Sequence, residues 1–421
     1  MTQYLNDAVN SISESIRIDS SLARPQAGMP FGKGAFECLN HFLSLASEMG
    51  FETKNYDNYI GEVIFGAGDD FAILCHLDVV PAGTGWKVPP FEGLVSDGKI
   101  WGRGATDDKG PAFAALYALK MLKDEGFVPH KTIKLIVGCN EECGWKCIEY
   151  YETVNRLPEV GFSPDANFPV IYAEKGILQI RLHYPVKSGL FTYMKGGERA
   201  NMVCDSCGVR PVTVDRQKSR KLKLSFENGK FVYHGKSAHA STPEEGDNAI
   251  LPILTMFRED ESVLRVIEDL FEDKKGLTQL ADETGNLTLS PDMIHYRKGF
   301  LAVVCDIRYP ATMTLAQIME AVDRFGVKYE VIHHQSPIYN DKNGPLISTL
   351  RSVFEEYTDQ KCEPIAIGGG TYARALKNGA AFGPEIAGDV PVAHQPNEFI
   401  TIDRIELMMN VYKEAIKRLT R

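Results

Sequence analysis

The sequence predicts an α/β protein whose main domain, a mixed β-sheet flanked by helices, is interrupted by an inserted α+β domain. Three observations lead to this prediction. Apolar strands and amphipathic helices alternate over residues 1–175, antiparallel strand patterns fill residues 176–335, and the helix–strand texture returns over residues 336–421. Such alternation is typical of a layered α/β sheet. We therefore expect a main domain of residues 1–175 plus 336–421 and an inserted domain of residues 176–335.

The first region alternates helices with apolar strands. The Gly- and Pro-rich segment 81–108 is predicted to be a long loop, and long loops in compact domains are often functional. Pro111 is expected in the first turn of a helix, where proline is well tolerated. Apolar periodicity predicts helices over 5–16, 34–49 and 111–123, and strands over 59–65, 71–77 and 132–138.

The inserted region has a different pattern of predicted secondary structure. Leu178, Ile180 and Leu182 alternate with polar residues, as in a strand with one buried face. Asn228-Gly229 is a hairpin turn signal between two strand patterns. The predicted elements are strands over 178–184, 222–226, 231–234 and 300–308 and one helix over 248–273, and a last helix with an apolar face over 402–419 closes the chain.

Composition excludes several classes of protein. The 421 residues are 44% hydrophobic and 24% charged, values of a globular protein and not of a disordered chain, a collagen or a coiled coil. With 46 basic residues against 56 acidic ones, the net charge is −10, which argues against a nucleic-acid partner. No stretch approaches the length of a membrane-spanning helix, so no membrane association is expected. Nine scattered cysteines fit a reducing compartment, so we expect a cytoplasmic protein.

Several polar residues follow predicted strands. His76 and Asp78 come where the strand over 71–77 ends, and open α/β sheets bind ligands at the carboxyl ends of their strands. Positions i and i+2 face the same side of a strand, so Asp78 can orient His76 if His76 binds a metal. Glu141 and Glu142 follow the strand over 132–138. Two adjacent carboxylates repel each other, and a cation would compensate them.

Three further candidates lie in loops. Asp107 sits in Gly102–Pro111, where glycines permit a tight fold, whereas its neighbour Asp108 is expected to cap the following helix. Asp165 lies in an apolar loop, and His394 shortly precedes the last helix. Taken singly, each candidate has a commoner structural explanation, such as a surface histidine or a solvated acidic loop.

Together these residues predict a dinuclear metal site. Mixed histidine and carboxylate ligands suit zinc, or Mn or Co in its place. Two divalent ions nearly balance three carboxylates if Asp107 bridges them. Glu141 would then stay free to take a proton from an attacking water and pass it to the leaving amine. The predicted ligands are His76, Asp107, Glu142, Asp165 and His394.

The ordered motifs resemble a known family. The motifs are H-L-D at 76–78, G-R-G-A-T-D-D-K-G at 102–110, N-E-E at 140–142, S-P-D-A at 163–166 and the late His394. They are similar to those of the dinuclear zinc peptidases that include aminoacylases, acetylornithine deacetylase, succinyl-diaminopimelate desuccinylase and carboxypeptidase G. The segments 85–91, 107–111 and 367–374 resemble the bacterial V-type dipeptidases in particular. The resemblance implies a catalytic main domain and an inserted lid domain.

The resemblance also implies roles for residues of the inserted domain. His239 corresponds to the lid histidine that stabilises the oxyanion, and Arg308 to the arginine that pairs with the substrate's terminal carboxylate. Asn201 matches a substrate-contact asparagine, and its position before His239 favours a monomer over a homodimer. Gly369 and Gly370 offer backbone N–H groups to a carboxylate, although a plain turn explains them equally well.

The expected activity is hydrolysis of dipeptides, small-molecule peptide substrates, through a metal-bridging water with Glu141 as the general base. An N-acyl amino acid amidohydrolase that uses the same two ions is the main alternative. A catalytically silent small-molecule binding protein is a second alternative. A thiol redox protein that uses Cys204 and Cys207 is a third. The inserted region is shorter than is usual in V-type dipeptidases, which leaves the preferred substrate length open.

Overall fold

The computed structural model describes residues 3–421, which form two compact units. The first unit comprises Met1–Tyr172, Asn340–Ile365 and Thr371–Arg421, and the second comprises Ala173–Tyr339 and Ala366–Gly370. The predicted fold class, a mixed α/β protein, is confirmed. Within the described residues, no helix has the length and apolar character needed to cross a membrane.

The helices are distributed along the whole chain. They are α1 (Gln3–Ile16), α2 (Lys33–Glu48), α3 (Lys109–Asp124), α4 (Lys146–Val154), α5 (Arg216–Lys221), α6 (Ile250–Thr255), α7 (Glu261–Leu270), α8 (Leu315–Asp323), α9 (Pro345–Thr358) and α10 (Ile402–Leu419). Short 3-10 turns occur at Pro243–Glu245 and Tyr372–Ala375.

The strands of the N-terminal part are β1 (Glu52–Tyr56), β2 (Ile60–Phe65), β3 (Asp69–His76), β4 (Leu94–Ser96), β5 (Lys99–Trp101), β6 (Lys131–Gly138), β7 (Val160–Ser163), β8 (Ala166–Asn167) and β9 (Ile171–Glu174). Those that follow are β10 (Gly176–Pro185), β11 (Phe191–Gly196), β12 (Ser206–Pro211), β13 (Ser225–Glu227), β14 (Lys230–His234), β15 (Ala281–Asp282), β16 (Gly285–Asn286), β17 (Thr288–Arg297), β18 (Phe300–Tyr309) and β19 (Lys328–Gln335). The last are β20 (Ile338–Tyr339), β21 (Ile365–Ile367), β22 (Asn378–Ala381), β23 (Pro384–Glu385) and β24 (Phe399–Thr401).

The main sheet of the first unit mixes both strand directions. Its strands follow the order β1-β2-β6-β3-β7-β22-β9. The central strands β6, β3, β7 and β22 run parallel to one another, whereas β2 pairs with β6, β1 with β2 and β9 with β22 in antiparallel fashion. β3 is buried from Phe71 to His76, as expected of a central strand with both faces covered. The carboxyl ends of β6, β3 and β7 therefore meet at one edge of the sheet.

Helices cover this sheet. α3 is buried along almost its whole length and packs against α1 and α10. The predicted stripe of α1 is confirmed, since Leu5, Val9, Ile12 and Ile16 are all buried. A separate three-stranded sheet, in the order β24-β5-β4, joins the chain before α10 to the segment before α3. This small sheet links two parts of the chain that are far apart in sequence.

The second unit is built on one antiparallel sheet. Eight strands follow the order β13-β14-β12-β11-β17-β18-β10-β19, and every pairing between them is antiparallel. One face carries Leu178, Ile180 and Leu182 into a core shared with α6, α7 and α8. The antiparallel α+β character predicted for the inserted region is thereby confirmed.

The structure differs from three predicted elements. The predicted helix over 248–273 is two helices, because Asp260 caps a new start at α7 with its side chain accepting the backbone N–H of Ser262. The strand predicted over 222–226 is reduced to β13, because the basic segment before it forms α5. The predicted long loop over 81–108 contains β4 and β5, whose small sheet is completed by β24 from the far end of the chain.

Candidate metal centre and active site

Three parallel strands deliver polar side chains to the same edge of the main sheet. β3 ends at His76, which lies opposite Gly138, the last residue of β6. Glu141 and Glu142 follow β6 after two residues, and Asp165 follows β7. Because the carboxyl ends of parallel strands coincide, residues from three distant segments of chain become neighbours.

Asp107 reaches this edge through a tight turn before α3. Gly104 has φ +88°, a left-handed conformation that suits glycine, and a Cβ there would lie 2.8 Å from Cγ1 of Val79. The turn also places Asp108 beneath β3, where its Oδ2 accepts the backbone N–H of His76 at 3.1 Å. The prediction that the Asp108 side chain caps α3 is therefore wrong, since no side-chain capping hydrogen bond forms there. The carboxylate supports the strand end that carries His76 instead.

The predicted ligands converge in two groups of three that share Asp107. One group is His76, Asp107 and Asp165, and the other is Asp107, Glu142 and His394. Nε2 of His76 lies 2.9 Å from Oδ1 of Asp107 and 3.8 Å from Oδ2 of Asp165. Nε2 of His394 lies 2.9 Å from Oδ2 of Asp107 and 3.0 Å from Oε1 of Glu142. Each oxygen of Asp107 thus faces a different imidazole.

The donor atoms fit divalent metal ions. Nε2 of His76 and Oδ1 of Asp107 are buried and, despite their proximity, have no hydrogen-bond partner. Buried polar atoms without a partner are uncommon in proteins, and an ion would satisfy both atoms. The other ring nitrogen, Nδ1 of His76, lies 2.9 Å from the carbonyl oxygen of Asp78, which directs Nε2 towards the group. Histidine and carboxylate ligands without cysteine suit zinc and its neighbours.

The Asp78 carboxylate acts differently from the sequence prediction. Its Oδ1 lies 3.6 Å from Nδ1 of His76, too far for a hydrogen bond, and the backbone carbonyl of Asp78 orients the ring. The carboxylate oxygens accept the backbone N–H groups of Glu141 and Glu142, at 3.0 and 3.1 Å. Asp78 therefore fixes both the ring of His76 and the turn that carries the two glutamates.

The charges of the site interact strongly. Burial raises the pKa of the Asp107 carboxyl, but its interactions with the facing imidazoles of His394 and His76 outweigh burial and hold the pKa below its usual range. Burial lowers the pKa of His394, but its hydrogen bonds to Asp107 and Glu142 prevail and raise that pKa to about 11. Burial, followed by the charge of Asp107, raises the pKa of Glu142 to about 7. The carboxylates outnumber the imidazoles that face them, so the site favours cations.

Glu141 lies beside the ligands without belonging to either group. Its Oε1 accepts the indole N–H of Trp145 at 3.1 Å, which orients the carboxylate. Burial raises the pKa of Glu141 well above its ordinary value. A carboxylate held in this way has the properties of a general base or acid, whose pKa should lie near the working pH.

The second unit gathers the other predicted residues. Nη1 of Arg308 donates to the carbonyl of Gly368 at 2.9 Å, and this glycine packs on Ser241. Ser241 in turn bonds to His239, and Asn201 accepts the backbone N–H of Ala240 at 3.0 Å. Gly369 and Gly370 follow in the same bend, the first half-buried and the second exposed. These residues thus form one connected group within the second unit.

Two side chains in this group have defined chemistry. The backbone N–H of Ser241 donates to Nδ1 of His239 at 3.2 Å, so Nδ1 is an acceptor and the neutral ring carries its proton on Nε2. Arg308 is a buried arginine, only 3% exposed. Its Nε and Nη2 donate to the two oxygens of Asp306, at 2.5 and 3.1 Å. This fork holds the guanidinium in one orientation.

Comparisons with known proteins agree with this chemistry. The model of peptidase family M20/M25/M40 matches residues 72–418. The chain belongs to this family. A putative dipeptidase of Bacillus subtilis (strain 168), YtjP, is 34% identical over 455 residues, covering 99% of this chain and 97% of the relative. The Beta-Ala-Xaa dipeptidase of Lactobacillus delbrueckii subsp. lactis is 34% identical over 460 residues, covering 100% and 98%.

Solved structures share the fold of this M20-family peptidase. Human carnosine dipeptidase 1 aligns with a TM-score of 0.62 at 14% identity, covering 99% of this chain and 96% of that one. The dipeptidase Dug1p of Saccharomyces cerevisiae aligns with a TM-score of 0.60 at 14% identity, covering 99% and 97%. At this level of identity the likeness concerns the fold alone.

Some residues that build the site of this peptidase were not predicted. Tyr372 packs edge-to-face on His76, with ring centroids 6.0 Å apart, and its hydroxyl lies 2.7 Å from Sγ of Cys147. Tyr372 could have been found from the sequence, because it lies in the glycine-rich segment 367–374. Arg103 and Glu398 form a buried ion pair at 2.6 Å beside the turn of Asp107. They are far apart in sequence, so only the fold reveals their pairing.

Proposed function

We propose that this M20-family peptidase is a metal-dependent dipeptidase. The observation that carries the proposal is the convergence of two groups of three ligands on one shared carboxylate, that of Asp107. Relatives of full length that are named dipeptidases support the substrate class. A free dipeptide offers a terminal carboxylate, which suits the forked donor group of Arg308.

The cofactor that we propose is a pair of divalent ions, zinc in the first place, with Mn or Co able to replace it. One ion would be held by His76, Asp107 and Asp165, and the other by Asp107, Glu142 and His394. When bound, such ions polarise the scissile carbonyl and lower the pKa of a water.

The chain's own residues carry the remaining steps. Glu141 takes a proton from the attacking water and delivers it to the leaving amine. Asp78 holds the turn of Glu141 in place through the backbone N–H that it accepts. His239 donates from Nε2 to the developing oxyanion, for which the proton position fixed by Ser241 is the required one.

Substrate binding is assigned to the second unit. Arg308 pairs with the terminal carboxylate of the dipeptide, and Asn201 contacts the substrate backbone. Gly369 and Gly370 donate backbone N–H groups to the same carboxylate. In this assignment, residues 1–175 and 336–421 form the catalytic domain and residues 176–335 the lid.

We further propose that the protein works in the cytoplasm as a monomer, without nucleic-acid or membrane partners. The net charge of −10 and the scattered cysteines support this assignment. Most of these cysteines are buried thiols within the two units, which fits a reducing compartment: Cys38, Cys75, Cys139, Cys147, Cys204, Cys207 and Cys305.

The proposal is tested by metal analysis combined with a substrate panel. The purified protein is expected to retain close to two divalent ions per chain and to hydrolyse dipeptides until a chelator removes them. Restoring zinc, manganese or cobalt in turn should restore activity and rank the metals. N-acetylated amino acids serve as the comparison substrates.

Each alternative gives a different result in this experiment. Hydrolysis of acyl-amino acids without hydrolysis of dipeptides would identify an amidohydrolase. Bound metal without turnover of any amide would identify a silent binding protein. Activity that resists chelators and depends on Cys204 would identify thiol chemistry.

A further inference from the structure

Two buried residues of opposite charge are each separated by four positions in the sequence from a proposed metal ligand. Arg103 precedes Asp107 by four residues, and Glu398 follows His394 by four residues. Arg103 is 2% exposed and Glu398 is 0% exposed. Their side chains form a direct ion pair, with Nη1 and Oε2 2.6 Å apart. The pair therefore joins the two loops that supply one ligand group.

Glu398 reaches across to the loop of Asp107. Its Oε1 accepts the backbone N–H of Thr106 at 2.9 Å and that of Asp107 at 3.3 Å. Its own backbone carbonyl accepts the N–H of Gly102 at 2.9 Å. The carboxylate therefore fixes the turn that carries Asp107.

Arg103 reaches in the opposite direction, to the loop of His394. Its Nη2 donates to the carbonyl oxygen of His394 at 3.2 Å, and the guanidinium lies over the ring of Trp86 at 5.3 Å. His394 has φ +63°, a left-handed conformation that is uncommon for a residue other than glycine. Its side chain is 49% exposed, so little packing holds it. The bond from Arg103 is therefore an anchor for the backbone that directs this imidazole.

We propose that Arg103 and Glu398 are positioning residues that form a reciprocal clamp across the second ligand group. Each residue holds the backbone of the other's loop, so the pair sets the separation of Asp107 and His394. The inference rests on the proposed function, because it assumes that Asp107, Glu142 and His394 hold an ion. The other group receives His76 and Asp165 from the ends of β3 and β7, which the sheet fixes without help from the clamp.

The clamp makes a selective prediction. Breaking it should weaken binding of the ion held by Asp107, Glu142 and His394 more than binding of the other ion. Two ligands of the first of these groups, Asp107 and His394, lie on clamped loops, whereas only Asp107 of the other group does. Loss of a residue that supports metal ligands typically costs about 10–100-fold in metal affinity. A buried pair that served only the stability of the fold would weaken neither ion selectively.

The test is calorimetric titration of the metal-free full-length protein with zinc, for wild type, Glu398→Gln, Glu398→Ala and Arg103→Lys. A His394→Ala variant identifies which binding step belongs to the second group. We expect that step to weaken by roughly 10–100-fold in Glu398→Ala. Arg103→Lys keeps the charge but has a single donor group, so its loss should be smaller. In both variants the other step should weaken clearly less than the His394 step.

The matched control is Glu62→Gln. Glu62 is also fully buried in the first unit, where it accepts hydrogen bonds from Tyr56, Tyr151 and Asn155. Its replacement should lower stability towards urea without changing either binding step. If Glu398→Ala does not fold, Glu398→Gln and Arg103→Lys carry the test.

The outcomes separate the clamp from the proposed function. Unchanged binding in all clamp variants, equal weakening of both steps, or the same weakening in Glu62→Gln would overturn the clamp. Wild-type protein that takes up no zinc would overturn the proposed function, and the clamp with it. Two zinc-binding steps in the wild type with selective loss of the His394 step support both.

Discussion

The two units of this peptidase each bury a group of charged side chains, but they balance the charges differently. In the first unit, the carboxylates of Asp107, Glu142 and Asp165 face the imidazoles of His76 and His394. In the second unit, Asp306 is paired directly with the guanidinium of Arg308 through two hydrogen bonds. The first group has an excess of carboxylates that an external cation would balance, whereas the second contains its own cation.

The difference shows how similar residues acquire different tasks. A buried ion pair with a complete set of hydrogen bonds is self-sufficient and holds its arginine in place. A group of carboxylates with partly unsatisfied donor atoms gains free energy when a cation binds. The ion pair of the second unit suits recognition of a substrate charge, whereas the carboxylate group of the first unit suits a metal cofactor. Changes in the two units should therefore have different consequences.

Replacing Glu141 should separate chemistry from metal binding. Glu141→Gln removes the base but keeps the shape of the side chain and its acceptor for Trp145. We expect kcat to fall by roughly 10²–10⁴-fold, the usual contribution of general acid–base catalysis. Metal content should not change, as measured by elemental analysis. Glu149→Gln, at an exposed position of α4, should retain full activity, and a loss of metal in Glu141→Gln would contradict its role as a free base.

Removing the metal should destabilise the protein through the first unit. A ligand present at about a thousandfold excess over its dissociation constant stabilises the native state by roughly 4 kcal/mol. Urea unfolding with and without chelator should therefore differ by about this amount. In His394→Ala the difference should shrink, because one ligand group is incomplete. A chelator effect of the same size in that variant would show that the stabilising ion binds elsewhere.

Arg308→Lys should act on substrate binding and not on metal. Lysine keeps the positive charge beside Asp306 but loses the fork that meets a carboxylate through two hydrogen bonds. We expect KM for dipeptides to rise by about tenfold, equivalent to roughly 1.4 kcal/mol. A dipeptide amidated at its carboxyl terminus provides the control, since it should bind equally weakly to wild type and variant. An equal rise in KM for both substrates would show that Arg308 does not contact the terminal carboxylate.

The smallest effect on activity concerns Asp292, a fully buried residue of the second unit that the proposed chemistry does not use. Its Oδ1 accepts the hydroxyl of Ser290 at 2.5 Å, and its Oδ2 is buried without a partner. Burial, with a further contribution from Asp306, raises the pKa of Asp292 to about 8. The native state therefore keeps this proton to higher pH than the unfolded chain does. Stability should fall as the pH rises from about 4 to about 8.

Asp292→Asn mimics the protonated form and should remove this pH dependence. The gain in the free energy of unfolding should grow by up to about 1.4 kcal/mol per pH unit between about pH 4 and pH 8 and level off above. Urea denaturation at a series of pH values measures it. Parallel stability curves for the two proteins would show that Asp292 is ionised in the native state.

The sequence carried most of the information about the fold. Central strands such as β3 and β6 are apolar throughout, and their ends could be read from the polar residues that follow. Local signals were weaker in the second unit, where Asp260 divides one predicted helix into α6 and α7. The fold class was predictable because it depends on patterns of hydrophobicity along the chain.

The site was predictable only where residues follow strands or match motifs. The position of His76 was predicted from the end of β3, whereas Asp165 and His394 were expected in loops and were predicted from motifs. The carboxylates of Asp108 and Asp78 have partners other than the expected ones, because these depend on the geometry of two turns. Contacts between distant loops, as between Arg103 and Glu398, leave no pattern in the local sequence.

The order in which the ligands appear along the chain has a consequence for biosynthesis. The group of His76, Asp107 and Asp165 is already complete when the ribosome has made the first half of the polypeptide. The group that contains Glu142 must wait for His394, which emerges only after the whole second unit. A nascent chain thus contains all three residues of one group early, while the other group receives its last residue much later. The second group can therefore form only after synthesis has reached the C-terminal segment and this segment has docked.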